Sequence, residues 1–512
     1  MSVSKLLVRQ DVYVDSALLM SAARTMRQSE GAEWASAVMG TESNLDDLRG
    51  EGFDASQLSD VGPNDVILAV KADSESHAES ALDAGQAVVA ERGGASAAAS
   101  KERPIRSVMQ AIREGADVNI ALVSVPGEYA ALEAHKALTT GLHVLLFSDN
   151  VSVEDEMTLK QRGEDVGLLV MGPGAGTARL GGIGLGFSNA VRPGKISIVA
   201  AAGTGAQECM TLLSRWGSGV RHVIGVGGRD LSTDVGGRMT RLSLQSVERD
   251  PETELLLVVS KPPSPEVATN VFGSLTAEKP VVAALVGLSE RPALGEHVHL
   301  ARTLEESVRR TLEILGLRVP DTSQGLAAVA KRAMDGLEQE RRWIRGLFSG
   351  GTLCSESMVV MSERLGPIHS NVPLRGDWRL PVKDGHICLD LGEEEFTKGR
   401  PHPMIDPEPR AERIREEAQN PAVGVILLDV VLGYGAHADP ASVLAPACEE
   451  AIDLGARVVA YVLGTDDDPQ DYKQQRHRLE EAGCLLAPTG ARTALLAAAI
   501  VARDPEIVEQ EP

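Results

Sequence analysis

Aliphatic runs that stop at a glycine and open into a helical run recur along this chain. Ile196–Ala201 leads into Gly203-Thr204-Gly205, Val220–Val226 ends at Gly227 and Gly228, and Gly424–Val430 leads to Gly433 and Gly435. Each is followed by a stretch with helical spacing. Strands alternating with helices of roughly 10–15 residues read as βαβ units around parallel sheets. Fifty-one glycines in 512 residues serve such tight connections, and an aromatic content of 3% leaves cores of Ala, Val, Leu and Ile.

The net charge of −23 argues against a nucleic-acid partner, which needs a basic face, and against an anionic membrane surface. No apolar run approaches the ~20 residues of a bilayer span. Residues Met1 to Gln10 lack the apolar core of a signal peptide. Five widely spaced cysteines, at 209, 354, 388, 448 and 484, form no C-x-x-C. Neither a disulfide framework nor a metal site is expected, and the chain reads as cytoplasmic.

Five segments are expected. Residues 1–95 form a small α/β module, with strands Leu6–Tyr13, Trp34–Met39 and Asp65–Val70. Glu91–Lys101 is Gly/Ala/Ser-rich and reads as a linker. Residues 103–190 and 191–318 are two α/β domains, 319–349 a charged helical connector, and 350–512 a third α/β domain.

The glycine turns are candidate anion sites, because free N–H groups and the helix dipole at a helix start attract phosphate or carboxylate. One candidate phosphate-binding turn is Gly203, Thr204, Gly205 and Ala206. A second is Gly433, Tyr434, Gly435 and Ala436, with His437 behind it as an acid or base. Asp439 and Pro440 there suit a helix start. Gly227, Gly228 and Asp230, with Arg229 as a catalytic cation, lie where open α/β sheets place substrates. Gly172 and Gly174 form a further candidate substrate loop. Each turn equally suits a plain strand-to-helix connection. No Walker A loop and no G-x-G-x-x-G at the first βα turn is present.

At these residues the chain resembles the succinyl-CoA synthetase superfamily of ADP-forming acyl-CoA ligases. Val123-Ser-Val-Pro126, Met171-Gly-Pro-Gly-Ala-Gly176, Ala201-Ala-Gly-Thr-Gly205 and Gly225-Val-Gly-Gly-Arg-Asp230 follow the order of the ligase alpha-subunit motifs. Cys388-Leu-Asp-Leu-Gly392 and Leu432-Gly-Tyr-Gly-Ala436 follow that of the beta-subunit carboxyl domain. The order, an extra amino-terminal module followed by alpha-like and beta-carboxyl-like parts, is similar to the FdrA family. The resemblance implies several Rossmann/flavodoxin-like domains: a truncated CoA-binding-like domain at 103–190, an alpha-like domain at 191–318 and a beta-carboxyl-like domain at 350–512.

The departures bear on function. Leu294-Gly-Glu-His-Val-His-Leu-Ala301 stands where the ligases carry a phosphohistidine loop, with His297 and His299 as the histidines. Val259-Ser-Lys-Pro-Pro263 replaces the loop bearing the glutamate that orients the histidine, so Lys261 puts a cation where the family has an anion. That change suits free phosphate better than imidazole activation. The first βα units of the CoA domain have no counterpart, and no ATP-grasp domain is encoded, so neither CoA nor ATP/ADP is an expected ligand. The resemblance implies a subunit of a hetero-oligomeric carbamoyltransferase acting on oxamate or a related amide or ureide in allantoin breakdown. Carbamoyl phosphate would lie between the helix starts near Gly203 and Gly435, with Lys261, Arg229 and His437 as catalytic groups. Two alternatives stand beside this: an ADP-forming acyl-CoA synthetase working through a phosphohistidine, and a non-catalytic scaffold subunit.

Overall fold

A computed structural model describes residues 3–10, 12, 14, 16–97, 105–115, 117–288, 294–382, 384–398 and 400–512. The chain divides into two compact units, Met1–Ile105 and Arg106–Pro512. Among the described residues no helix is long and apolar enough to cross a membrane.

In the first unit, strand Val66–Ala72 lies between Val3–Arg9 and Ala32–Met39 and is antiparallel to both. This small sheet is antiparallel throughout, unlike the mainly parallel sheets of the second unit. Alternation along the central strand divides its side chains between two faces. Leu68 and Val70 pack under helices Ser16–Arg27 and Glu75–Ala97, through Ala22, Met26, Ala78 and Ala81. Ile67 and Ala69 pack under Leu45, Leu48, Phe53 and Leu58. The second helix runs through the first part of the stretch expected to be a linker, because alanine favours helix however low the local complexity. Residues 98–101 of that stretch lie outside the described residues.

The second unit holds three sheets. A three-stranded parallel sheet joins Ile120–Val123, His143–Leu146 and Val170–Met171. A seven-stranded sheet runs Val298–Ala301, Val281–Leu285, Leu255–Ser260, Pro193–Ala200, Val220–Gly225, Thr177–Leu180 and Ile183–Gly186. Its last two strands form an antiparallel hairpin. A six-stranded parallel sheet carries Trp343–Phe348 between His386–Asp390 and Val423–Val431. The strand Trp343–Phe348 falls inside the expected helical connector, whose only helix among the described residues is Leu326–Met334. Charge concealed the strand. Arg345 lies within it but is buried, donating to Glu417 Oε2 at 2.9 Å and the Gly385 carbonyl at 2.7 Å.

One apolar core spans the seven- and six-stranded sheets, joining Ile198, Met210 and Leu257 to Leu353, Val425 and Leu495. Polar contacts fasten the same halves. Asp468 accepts from the Ala190 amide at 2.7 Å and from Asn189 Nδ2 at 2.9 Å, and Tyr434 donates its amide to the Ser188 carbonyl at 2.7 Å. The carboxyl ends of the two sheets consequently meet.

Candidate functional site

The buried strand Pro193–Ala200 ends at Ala201-Ala202, and helix Gly203–Arg215 starts with no side-chain cap. Its first three amides, on Gly203, Thr204 and Gly205, have no partner within the helix. The Ala206 amide, expected to bind phosphate, instead donates to the Ala202 carbonyl at 2.9 Å, as a fourth helical residue must.

The helix start that faces it is not the one expected. Strand Trp343–Phe348 passes through Ser349 and Gly350 into helix Gly351–Leu365, which also lacks a side-chain cap. The Thr352 amide donates to Thr204 Oγ1 at 3.3 Å. A Cβ on Gly205 would lie 2.8 Å from Thr352 Cγ2, and one on Gly350 would lie 3.0 Å from Thr204 Cγ2. Only glycine permits this approach of two helix ends. The Gly351 and Leu353 amides remain for a ligand, while Asp429 takes the pair before them. Its Oδ1 accepts from the Ser349 amide at 2.8 Å and its Oδ2 from the Gly350 amide at 2.7 Å. Arg410, also buried, donates to Asp429 Oδ1 at 2.6 Å.

The Gly433–His437 turn has its amides engaged. Gly433 donates to Gln470 Oε1 at 3.0 Å, Tyr434 to the Ser188 carbonyl, Ala436 to the Gly433 carbonyl and His437 to the Met404 carbonyl at 2.8 Å. The helix beyond is capped by Asp439. This turn joins the two halves, and only Gly435 among the four expected binding residues keeps an uncommitted amide. His437 Nδ1 accepts from the Asp439 amide at 3.1 Å, so a neutral ring carries its proton on Nε2.

Arg229 and Asp230 serve the fold. Asp230 is fully buried and accepts from Lys160 Nζ at 2.9 Å, Thr240 N at 2.8 Å and Thr240 Oγ1 at 2.6 Å. Arg229 donates to Glu156 Oε2 at 2.8 Å and to the Val151 carbonyl at 2.7 Å. A buried charge needs its partners at hand, and these leave Asp230 no substrate role; Arg229 is exposed and spends Nε and Nη2 on Glu156 and Val151. Gly227 packs against Gly172 and Pro173, and Gly174 lies beside Asp149. Gly228 approaches the Ala201 carbonyl, at the rim of the first helix start. Lys261 is exposed just beyond strand Leu255–Ser260, and its charge reaches Asp390 and Cys354.

Asp390 and His402 carry no functional expectation from sequence, yet both border the helix ends. Asp390 ends strand His386–Asp390; its Oδ1 accepts from the Gly392 amide at 3.0 Å, and its Oδ2 lies against Gly351. Burial, reinforced by Glu393, pushes its carboxyl up to about 7. His402 accepts from the Met404 amide on Nδ1 at 3.2 Å, and burial pushes it down to about 4. It is therefore a neutral ring with its N–H on Nε2. Phe187 lies against it, ring centres 6.0 Å apart.

His297 and His299 lie elsewhere. His297 precedes Val298, which is level with Val281 at the start of its neighbour, whereas the helix ends lie beyond the carboxyl ends of the strands. With three strand spacings between, the separation is on the order of 20 Å.

YahF of Escherichia coli (strain K12), an uncharacterized protein, is 38% identical over 519 residues, covering 98% of this chain and 99% of its own. The chain belongs to the FdrA family. Residues 347–500 of this FdrA-family chain match the CoA-ligase family, and residues 1–104 match the AllF, heavy metal-associated domain. Subunit alpha 2 of an ADP-forming succinate–CoA ligase from Archaeoglobus fulgidus is 30% identical over 235 residues, 43% of this chain and 78% of that subunit. The apo dinucleotide-forming acetyl-coenzyme A synthetase 1 of Ca. Korarchaeum cryptofilum aligns with 77% of this chain and 85% of its own, at 16% identity and a TM-score of 0.33. The chain is thus an α/β protein related to the ADP-forming acyl-CoA ligases. Its amino-terminal unit does not fit a heavy metal. Residues 1–104 contain no cysteine, and no group of three or more His, Cys, Asp or Glu able to hold a metal occurs among the described residues.

Proposed function

We propose that this chain holds the phosphate of an acyl phosphate at the joined starts of helices Gly203–Arg215 and Gly351–Leu365, and that the acyl group passes between that phosphate and a small acceptor. The observation that carries this is the meeting of two uncapped helix starts at Thr204 and Thr352. An anion there gains from both dipoles, each contributing up to about 1 kcal/mol. Lys261 adds a positive charge, and His402 borders the site as a neutral N–H donor. A leaving phosphate stabilised in place needs no covalent nucleophile. Membership of the FdrA family supports carbamoyl phosphate as the acyl phosphate and oxamate, or a related amide or ureide, as acceptor, within a hetero-oligomeric complex.

A second reading is an ADP-forming acyl-CoA ligase reaction, favoured by the match to the CoA-ligase family and the identity to a succinate–CoA ligase subunit. It requires a histidine to visit the helix ends, and His297 and His299 start far from them. Thermal-shift titration with phosphate, carbamoyl phosphate, CoA and ADP separates the two. The first reading expects stabilisation by carbamoyl phosphate and phosphate but not CoA, with no acid-labile label after incubation with labelled acyl phosphate. Stabilisation by CoA with an acid-labile phosphoprotein would establish the second and overturn the first.

A further inference from the structure

Asp390 is more than nine-tenths buried, and its Oδ2 receives no hydrogen bond among the described residues. That oxygen rests against Gly351, the first residue of the second helix, where an added Cβ would collide with it. It therefore lies beside the first turn of that helix, whose Gly351 amide it does not engage. An ionised carboxylate here and an anion at the helix ends would be like charges within a few ångströms, in a site too dry to screen them. A protonated carboxyl offers the anion a hydrogen-bond donor instead.

We propose that Asp390 is the proton partner of the bound anion: its carboxyl takes up a proton as the anion enters, donates Oδ2–H to one of its oxygens, and releases the proton when the anion leaves. This rests on the phosphate site proposed above. The step is proton binding coupled to anion binding; no covalent bond forms or breaks. The groups facing Asp390 set the balance. Glu393 on the next turn and Asp429, on the strand beyond Trp343–Phe348, favour the protonated form, and Lys261 opposes it. Cys354 on the second helix stays a thiol, its ionisation pushed well up by burial. His402 shares with Asp390 the space above Gly392 and is neutral. The burial that raises the carboxyl to about 7 places the exchange within the ordinary working range of a cell interior.

Sulfate is the suitable probe, because it stays a dianion from pH 6 to 9. Calorimetric titration of the full chain with sulfate, in buffers of unlike ionisation heat, should show nearly one proton taken up per anion at about pH 8. Affinity should fall about tenfold per pH unit above about pH 7. Asp390→Asn should abolish the uptake and flatten the pH profile, and Lys261→Met should move the fall to higher pH. The wild-type proton count decides the matter even if a variant misfolds. Sulfate binding without proton uptake, or with an unchanged profile in Asp390→Asn, would overturn the role of Asp390 while leaving the anion site intact. Failure of both sulfate and phosphate to bind the wild type would overturn the anion site, and this inference with it.

Discussion

The turns at Gly203–Ala206 and Gly433–Ala436 look alike as sequence: an aliphatic strand, two glycines separated by one residue, then a helix. In the folded chain they do opposite things. The first leaves three amides at an uncapped helix start and meets a second uncapped start across Thr204 and Thr352. The second donates its amides to Gln470, Ser188 and Met404, and its helix is capped by Asp439. Glycine spacing makes a ligand turn permissible; the uncommitted N–H groups decide whether it is one.

The largest effect should come from removing what holds the second helix start. Asp429→Ala leaves Arg410 buried without its partner and two amides unsatisfied, and should destabilise the chain by about 3–5 kcal/mol in urea unfolding. The same change at the Gly433 turn, Gln470→Ala, should be clearly milder; equal losses would erase the contrast.

Behind the two open helix starts lie Glu208 and Glu356, both buried, one on each helix. Burial pushes Glu208 up to about 7. The folded chain then keeps a proton that the unfolded chain releases near its ordinary value of 4.5, so stability falls as pH rises from about 4.5 to about 7. Glu208→Gln should remove a slope amounting to about 2 kcal/mol, read as the difference between unfolding free energies at pH 5 and 7.5. An unchanged slope would show that the carboxyl is ionised and that its charge opposes the dipoles.

Gly205→Val drives a side chain into Thr352 and Val259. It should cost about 1–3 kcal/mol in stability and abolish the thermal shift given by phosphate. Gly435→Ala is the smallest change. Its φ of +84° strains alanine by about 1 kcal/mol, with phosphate affinity kept within about twofold. If Gly435→Ala abolished binding and Gly205→Val spared it, the roles assigned to the two turns would be reversed.

Much of the fold was legible because strand and helix periods are local. The turn at Gly203 was legible for the same reason: Ile196–Ala201 is aliphatic throughout. Its partner was not, because Trp343–Phe348 carries Arg345, whose burial depends on Glu417 and Gly385, residues distant in sequence. Gly350-Gly351 after an apolar run was the available signal. Asp230 misled for the converse reason: a glycine-rich strand end with charged residues invites a ligand, and nothing local shows that Lys160 and Thr240 satisfy it. Asp390 stood out only as part of a motif, because its burial arises where two sheets meet.

The clip at Ser188, Asn189 and Asp468 ties together, within one polypeptide, the two halves that supply the facing helix ends. Dilution cannot part them, since each half sees the other at a fixed effective concentration. A cell making this chain keeps the halves at one-to-one by translation alone, and the paired helix ends should stay together down to scarce abundance, where a pocket assembled from separate polypeptides would fall apart.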